Sequence, residues 1–166
     1  ARQNLSEIKS QNKERLSTGL SELDRTLGGG LVDGSVVLIG GDPGIGKSTL
    51  IWQALATLNE ANTTLYVSGE ESAEQVSERS VRLGIREDVL FIGETHLEKI
   101  LKLAKDVQPK VIVIDSIQTM VTDLSTSAPG SVTQVRDCAA QLTQFAKQTN
   151  TVLLMIGHVT KGGALA

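Results

Sequence analysis

Aromatic residues are scarce in this chain of 166 residues, which contains one Trp, one Tyr and two Phe. A core with so few aromatic rings has to be built from Leu, Ile, Val and Ala. Proteins that hold single-stranded nucleic acid by stacking usually place its bases on aromatic side chains. The composition therefore argues against that mode of binding.

Cysteine and long apolar runs are also lacking. The single cysteine, Cys138, can form neither an intramolecular disulfide nor a zinc site by itself, and its apolar helical stripe predicts a small core residue. The sequence has no signal peptide and no apolar run of about 18 residues, the length that spans a membrane. We therefore expect a reduced, cytoplasmic protein with no membrane partner.

Positive charge is not in excess, because the formal net charge is -3. A module dedicated to coating DNA is normally basic. Any DNA binding would have to come from a local patch, from subunits assembled in a ring, or from segments outside this sequence. The length and the content of 40% hydrophobic and 21% charged residues are those of one globular domain.

From residue 35 onward, short apolar segments alternate with amphipathic ones, whereas residues 1–14 are polar and are interpreted as a linker or tail. Strands are predicted at 35–40, 64–68, 89–92, 110–115 and 151–157. The alternation predicts an α/β fold with a mostly parallel sheet and helices on both faces. Ligands of such sheets bind at the carboxyl ends of the strands.

Helices are predicted between these strands, at 47–59, from Ser72 to about 84, from about 95 to 107, and from Ser131 onward. Ser72 with Gln75, and Thr95 with Glu98, have the spacing of capping boxes. In the last helix, the positions expected to face the core are Val132, Val135, Ala139, Leu142 and Ala146. A shorter helix is expected between residues 21 and 28.

The strongest motif matches G-x-x-x-x-G-K-[ST] in full, with a predicted strand before it and a predicted helix after it. Its glycines let backbone N–H groups converge on a polyphosphate, and the helix directs its N-terminus at the same anion. Lys47 would contact the β- and γ-phosphates, Ser48 would offer its hydroxyl to Mg²⁺, and Thr49 would reach the α-phosphate. The alternative is a chance glycine-rich turn. The predicted nucleotide-binding residues are Gly41, Asp42, Pro43, Gly44, Ile45, Gly46, Lys47, Ser48 and Thr49.

Three further strand ends carry polar residues on the same side of the predicted sheet. Asp115 ends an apolar strand, where a carboxylate can hold Mg²⁺ directly or through water, although it could merely end the strand or cap a helix. Glu70, with Glu71 as its neighbour, could orient water towards the γ-phosphate. Both acids could instead be solvated loop or first-turn residues. His158 follows the last strand, where it could touch the γ-phosphate or be a surface histidine.

Taken together, these segments resemble the RecA-like ATPase core of the RadA (Sms) family of bacterial DNA-repair proteins. The resemblance covers residues 15–166 and includes more than the phosphate loop. The matching segments are RLSTG at 15–19, ELDR at 22–25, LGGG at 27–30, GGDPGIGKST at 40–49, VSGEES at 67–72, APGSV at 128–132 and GHVTK at 157–161.

This resemblance implies an ATP- and Mg²⁺-dependent, helicase-like motor that works as a homo-hexameric ring on single-stranded or branched DNA in recombination and repair. It also implies that Glu70 is the activating glutamate and that His158 senses the γ-phosphate. The segment from Thr122 to Val132 would face the central channel of the hexamer. It carries hydroxyls and a glycine but no Lys or Arg, so its phosphate contacts would come from hydroxyls and backbone groups.

Two departures from the family pattern lead us to expect an excised, C-terminally truncated core. The sequence has neither the family's N-terminal four-cysteine zinc finger, and hence no zinc site, nor its later Lys-Asn-Arg-Phe-Gly motif and Lon-protease-like domain. Two alternatives therefore stay open. The chain could be a KaiC-like regulatory ATPase that acts on protein partners, or a module that binds ATP or ADP without turnover.

Overall fold

A computed structural model of the protein describes residues 15–16, 31–40, 51–55, 63–84 and 89–157. The strands in these segments are β1 (Arg15–Leu16), β2 (Leu31–Val32), β3 (Val36–Ile39), β4 (Thr64–Ser68), β5 (Leu90–Gly93), β6 (Val111–Asp115) and β7 (Val152–Ile156). Five of them form a parallel sheet with the order β3–β7–β6–β4–β5, and β1 pairs with β2 in a separate antiparallel ladder. The five predicted strands are β3 to β7, with ends within one residue of those predicted.

Three helices connect the strands, and residues 51–55 are also helical, inside the helix predicted at 47–59. The helices are α1 (Ala73–Arg82), α2 (Leu97–Val107) and α3 (Val132–Thr149). Ser72 and Gln75 form the predicted capping box at the start of α1, and Ser131 caps α3 by accepting from the backbone N–H of Gln134. The helix predicted between residues 21 and 28 lies outside the described residues.

Side chains along each central strand alternate between two apolar clusters, one on each face of the sheet. Leu65 and Ile112 belong to the face that α2 and α3 cover, and Cys138 of α3 is fully buried there, as predicted. Val113 and Leu154 belong to the opposite face, which helical segment 51–55 and α1 cover. Each fully buried aliphatic side chain stabilises the fold by about 1.5–3 kcal/mol. The predicted α/β class, with helices on both faces of a parallel sheet, is confirmed.

The capping box predicted for Thr95 and Glu98 is wrong. The residue that precedes α2 is His96, and its side chain makes no capping hydrogen bond. The Glu98 carboxylate instead accepts hydrogen bonds from Thr122 and Asp123, across the loop that follows β6. A contact distant in sequence has therefore replaced the local one that the spacing suggested.

Val132 does not face the core as predicted, because 61% of its surface is exposed. It is the first residue of α3, and the first buried apolar residue of this helix is Val135, one turn later. The other four predicted positions of α3 do face the core: Val135, Leu142 and Ala146 are buried, and Ala139 is partly buried against the same cluster. The apolar stripe of α3 thus begins one turn later than its sequence pattern indicated.

Candidate active site

The carboxyl ends of the five parallel strands lie side by side at one edge of the sheet. Cross-strand pairing aligns Asp115 of β6 with Ser68 of β4 on one side and with Ile156 of β7 on the other. Ile156 in turn pairs with Ile39 of β3, and the backbone N–H of Gly157 donates to the carbonyl oxygen of Ile39 at 3.0 Å. One strand, β7, therefore separates Asp115 from the strand that precedes the phosphate-loop sequence.

Several predicted site residues lie outside the described part of the chain. These are His158 and the phosphate-loop residues Gly41, Asp42, Pro43, Gly44, Ile45, Gly46, Lys47, Ser48 and Thr49. The structure describes their flanks, with β3 ending at Ile39 and helix present at residues 51–55. The strand before the loop and the helix after it, which the motif requires, are thus both present.

Asp115 lies at the carboxyl end of β6, as predicted, and one of its carboxylate oxygens has a partner that the sequence did not reveal. The hydroxyl of Tyr66 donates a hydrogen bond to Asp115 Oδ2. Burial, the charge of Asp115 and this hydrogen bond all raise the pKa of Tyr66 above its ordinary value. The Tyr66 hydroxyl therefore keeps its proton and acts as a donor to the carboxylate.

The two candidate bases, Glu70 and Glu71, have different surroundings. Glu70 is exposed, directly after the turn that leaves β4, and makes no hydrogen bond or ion pair within the described segments. Glu71 is partly buried, forms an ion pair with Arg79 of α1, and donates its backbone N–H to Ser68 Oγ at 3.1 Å. Burial opposes the charged form of Arg79, but the hydrogen bond and charge of Glu71 outweigh it and raise the pKa of Arg79. Glu70 is thus the acid with a carboxylate available to a ligand.

Gly69 lets the segment after β6 pack closely against the end of β4. Its backbone N–H donates to the carbonyl oxygen of Asp115 at 3.0 Å. A β-carbon at Gly69 would lie 2.2 Å from Thr119 Oγ1 and 2.7 Å from Thr119 Cβ, which is too close for any side chain. Thr119 belongs to a single turn of 3-10 helix, Ile117–Thr119, and its hydroxyl donates to the carbonyl oxygen of Ser116 at 2.7 Å. The strand ends that carry Glu70 and Asp115 are thereby held together.

This edge of the sheet suits a magnesium ion that is held partly by phosphate. No cluster of three or more His, Cys, Asp or Glu side chains with metal-binding geometry occurs in the segments that the structure describes. Mg²⁺ does not need such a cage, because one or two carboxylates, substrate phosphates and waters complete its coordination. Asp115 supplies a carboxylate, and the hydroxyl of Ser116, which directly follows it, is buried without a hydrogen-bond partner among the described residues. The residues present therefore fit a magnesium–nucleotide complex.

The segment after the 3-10 helix, predicted to face a DNA channel, is anchored to α2 and α3 at Thr122. The Thr122 hydroxyl donates to Glu98 Oε2 at 2.7 Å, and the backbone N–H of Asp123 donates to Glu98 Oε1 at 2.9 Å. Gln134 accepts from the Thr122 N–H at 3.1 Å, and Gln141 donates to the Thr122 hydroxyl at 2.9 Å. The chain beyond this anchor carries the exposed Leu124. The anchor is joined to Asp115 by only six intervening residues, 116–121.

The comparisons with known proteins agree with this arrangement. The model of the AAA domain family matches residues 2–164. DNA repair protein RadA of Pseudomonas aeruginosa is 55% identical over 163 residues, which are 98% of this chain and 36% of that protein. RadA of Haemophilus influenzae is 53% identical over 165 residues, 99% of this chain and 36% of that protein. RadA of Bacillus subtilis is 48% identical over 164 residues, 98% of this chain and 36% of that protein.

These matches confirm the resemblance to the RadA family and the predicted RecA-like core. The chain spans 36% of the length of the three relatives. Of the helices in the described segments, none is long and apolar enough to cross a membrane.

Proposed function

Because this chain belongs to the AAA domain family, we propose that it is the ATP-binding and ATP-hydrolysing core of a DNA-dependent motor in recombination and DNA repair. The observation that carries this proposal is the common edge of the sheet. Asp115 and Ser68 are paired across neighbouring strands, Glu70 follows two residues after Ser68, and the strand that precedes the phosphate-loop sequence ends at the same level. ATP hydrolysis requires a phosphate-binding loop, a carboxylate that holds Mg²⁺ and a residue that orients the attacking water, all around one triphosphate.

The phosphate loop is the proposed binding site for the triphosphate of ATP or ADP. The backbone N–H groups of residues 41–46 would surround the phosphates, and Lys47 would add a positive charge near the β- and γ-phosphates. The helix that follows, present at residues 51–55, would direct its N-terminal partial charge at the same anion. Thr49 would reach the α-phosphate.

Asp115 and Ser48 would hold Mg²⁺ in this site. When bound, this ion neutralises charge that develops on the transferred phosphoryl group. The protein's part is to hold the Asp115 carboxylate at the strand end, which the hydrogen bond from Tyr66 supports. The cross-strand pairing of Asp115 with Ser68 and Ile156 fixes its backbone.

Glu70 would orient the attacking water towards the γ-phosphate, because its carboxylate is exposed at the ligand edge and has no described partner. Glu71 is less suited to this role, since its carboxylate is engaged by Arg79. His158, one residue beyond Gly157 at the end of β7, would contact the γ-phosphate and register its loss.

DNA is the proposed partner, as single strands or branched intermediates, in a homo-hexameric ring of the whole cytoplasmic protein. The segment after Thr122 would line the channel and contact DNA through hydroxyls and backbone groups, because residues 122–132 contain no Lys or Arg. Only six residues separate the anchor of this segment, Thr122, from Asp115, which provides a short route from the nucleotide to DNA. Because this chain is not basic overall, with a net charge of -3, its DNA affinity is proposed to arise from a ring of such segments.

The test is ATP hydrolysis with and without single-stranded DNA, with Lys47→Ala as the inactive control. We expect hydrolysis that DNA stimulates and that the substitution abolishes. Hydrolysis that is indifferent to DNA would contradict the DNA motor and favour an ATPase regulated by protein partners. Nucleotide binding without any hydrolysis would contradict the assignment of Glu70 as a working base in this chain.

A further inference from the structure

Tyr66 is the one tyrosine of the chain, and its ring is held between two other aromatic rings. The side chain of Tyr66 is only 1% exposed. Its ring centroid lies 4.7 Å from that of Trp52 and 6.3 Å from that of Phe91. Three of the four aromatic residues of the chain therefore pack together on one face of the sheet. The position of the Tyr66 hydroxyl is fixed by this packing and not by the hydrogen bond alone.

The hydroxyl held in this way points at the carboxyl end of the neighbouring strand. Tyr66 pairs with Val113 across β4 and β6, so Asp115 lies two residues further along β6, on the same face. The Tyr66 hydroxyl donates to Asp115 Oδ2. A buried hydroxyl needs an acceptor, and a carboxylate with one oxygen engaged is restricted in its rotation. One oxygen of Asp115 is thus fixed, and Oδ1 has no hydrogen bond to a described residue.

Resting on the proposed function, we infer that Tyr66 is a positioning residue for the magnesium site, because its hydrogen bond holds Oδ2 of Asp115 and leaves Oδ1, which has no partner among the described residues, to face the metal–nucleotide complex. A residue that hydrogen-bonds to a metal ligand, without contacting the metal itself, commonly changes metal affinity by about 10–100-fold when it is removed. Tyr66 would be such a residue, because its hydroxyl donates to Asp115.

The other neighbour of Tyr66 connects it to the phosphate loop. Trp52 lies in helical segment 51–55, five residues after Lys47 and four after Ser48. The Tyr66 ring therefore contacts helical segment 51–55, which follows the loop, while its hydroxyl contacts the Asp115 carboxylate at the end of the neighbouring strand, β6. A single side chain links the two proposed halves of the magnesium site.

Tyr66→Phe removes the hydroxyl and keeps the aromatic ring, which makes it the informative variant. The affinity for ADP is measured at increasing concentrations of Mg²⁺, both by calorimetry and from the fluorescence of Trp52, the one tryptophan in the chain. We expect ADP affinity in EDTA to be unchanged and the Mg²⁺ concentration that gives half of the magnesium effect to rise about tenfold. Phe91→Leu is the matched control, because it disturbs the same ring stack without touching Asp115.

The two variants separate positioning from packing. If Tyr66→Phe and Phe91→Leu lower the unfolding temperature alike and neither changes the magnesium dependence, Tyr66 has a structural role only and the inference is wrong. The combination with Asp115→Asn adds a second check. Once Asp115 has lost its charge, Tyr66→Phe should have no further effect on the magnesium dependence.

A second measurement keeps the Tyr66 hydroxyl and so does not depend on the folding of Tyr66→Phe. Biosynthetic 3-fluorotyrosine labels this residue alone, and its ¹⁹F resonance reports on the surroundings of the hydroxyl. The inference predicts that adding Mg²⁺ to the ADP complex shifts the resonance, and that Asp115→Asn abolishes the shift. A resonance that does not respond to Mg²⁺ while ADP affinity does would overturn it. Failure of the unsubstituted chain to bind ADP at all would instead reject the proposed function.

Discussion

Glu70 and Glu71 are adjacent in sequence, but their carboxylates have different surroundings because Glu71 has an ion-pair partner eight residues further along the chain. Arg79 on α1 pairs with Glu71 and leaves Glu70 exposed at the ligand edge. The sequence could place both acids at the end of β4, because an apolar strand ends immediately before them. It could not rank them by their contacts, since the ion pair depends on how α1 packs against the sheet. Tyr66 escaped prediction for the same reason, because its partner lies on another strand.

Substituting the two acids separately tests this difference at the residue level. We expect Glu70→Gln to keep ATP affinity and to lower kcat by about 10²–10⁴-fold, the usual contribution of a general base. Glu71→Gln should leave kcat within a few-fold and cost up to about 1 kcal/mol of stability, because it breaks a partly buried ion pair. The measurements are single-turnover hydrolysis and chemical denaturation. If Glu71→Gln proves to be the inactive variant, the assignment of the base is reversed.

At the scale of elements, periodicity and capping signals located the five main strands and all three complete helices that the structure describes. Local signals succeeded where the contacts they imply are local, as for Ser72 and Gln75 at the start of α1. They failed at Glu98, whose carboxylate is used by a loop 24 residues further along the chain. The short β1–β2 ladder was not predicted, because its two-residue strands have no detectable period.

The 3-10 helix Ile117–Thr119 packs against the carboxyl end of β4, and this contact depends on Gly69. We expect Gly69→Ala to destabilise the fold by about 1–3 kcal/mol, because its β-carbon would overlap Thr119. It should also lower kcat, since Glu70 is the next residue and a displacement of about 1 Å can cost 10²-fold in rate. Denaturant unfolding and steady-state hydrolysis measure both effects.

Gly93→Ala is the matched control, because Gly93 ends the neighbouring strand at the same level. A β-carbon there would meet its nearest atom at 3.7 Å, an ordinary van der Waals distance. The control should therefore be nearly neutral. Equal losses of stability in the two variants would mean that the approach of Thr119 is not what requires glycine at position 69.

Because Glu98 anchors the proposed channel segment, we expect its carboxylate to contribute to the free energy of unfolding in a pH-dependent way. Burial favours its neutral form, but hydrogen bonds from Asp123 and Thr122 outweigh burial and lower the pKa of Glu98 from its ordinary value of 4.5. A group with a lowered pKa stabilises the fold fully above its unfolded pKa, and this stabilisation is lost as the pH falls through the folded pKa. Glu98→Gln should thus cost about 1 kcal/mol at pH 7 and progressively less below about pH 4.5.

Urea unfolding of wild type and Glu98→Gln between pH 3 and 7 measures this contribution. Glu78→Gln, at an exposed position of α1, serves as the control for a general effect of removing one negative charge. A difference between wild type and Glu98→Gln that stays constant with pH would show that the carboxylate charge does not hold the anchor.

For the molecule as a whole, the parallel arrangement of the strands gathers residues from distant parts of the sequence at one edge. The sequence predicts this gathering, since consecutive βα units bring every strand's carboxyl end to the same side. It cannot predict that β7 lies between β3 and β6, because strand order depends on which crossovers pack best. Nor does it indicate the aromatic cluster, as its three residues are spread over 40 positions of the chain.

Calorimetric titration of ATP with Mg²⁺ into the chain and into its Lys47→Ala variant is the decisive test of the proposed nucleotide site. We expect the unsubstituted chain to bind ATP and the variant to lose at least about tenfold in affinity, with an unchanged unfolding temperature, because Lys47 is expected in the phosphate loop and outside the core. Equal affinity of the two proteins for ATP would mean that the nucleotide binds elsewhere than at the carboxyl edge of the sheet, and the proposed site would be wrong.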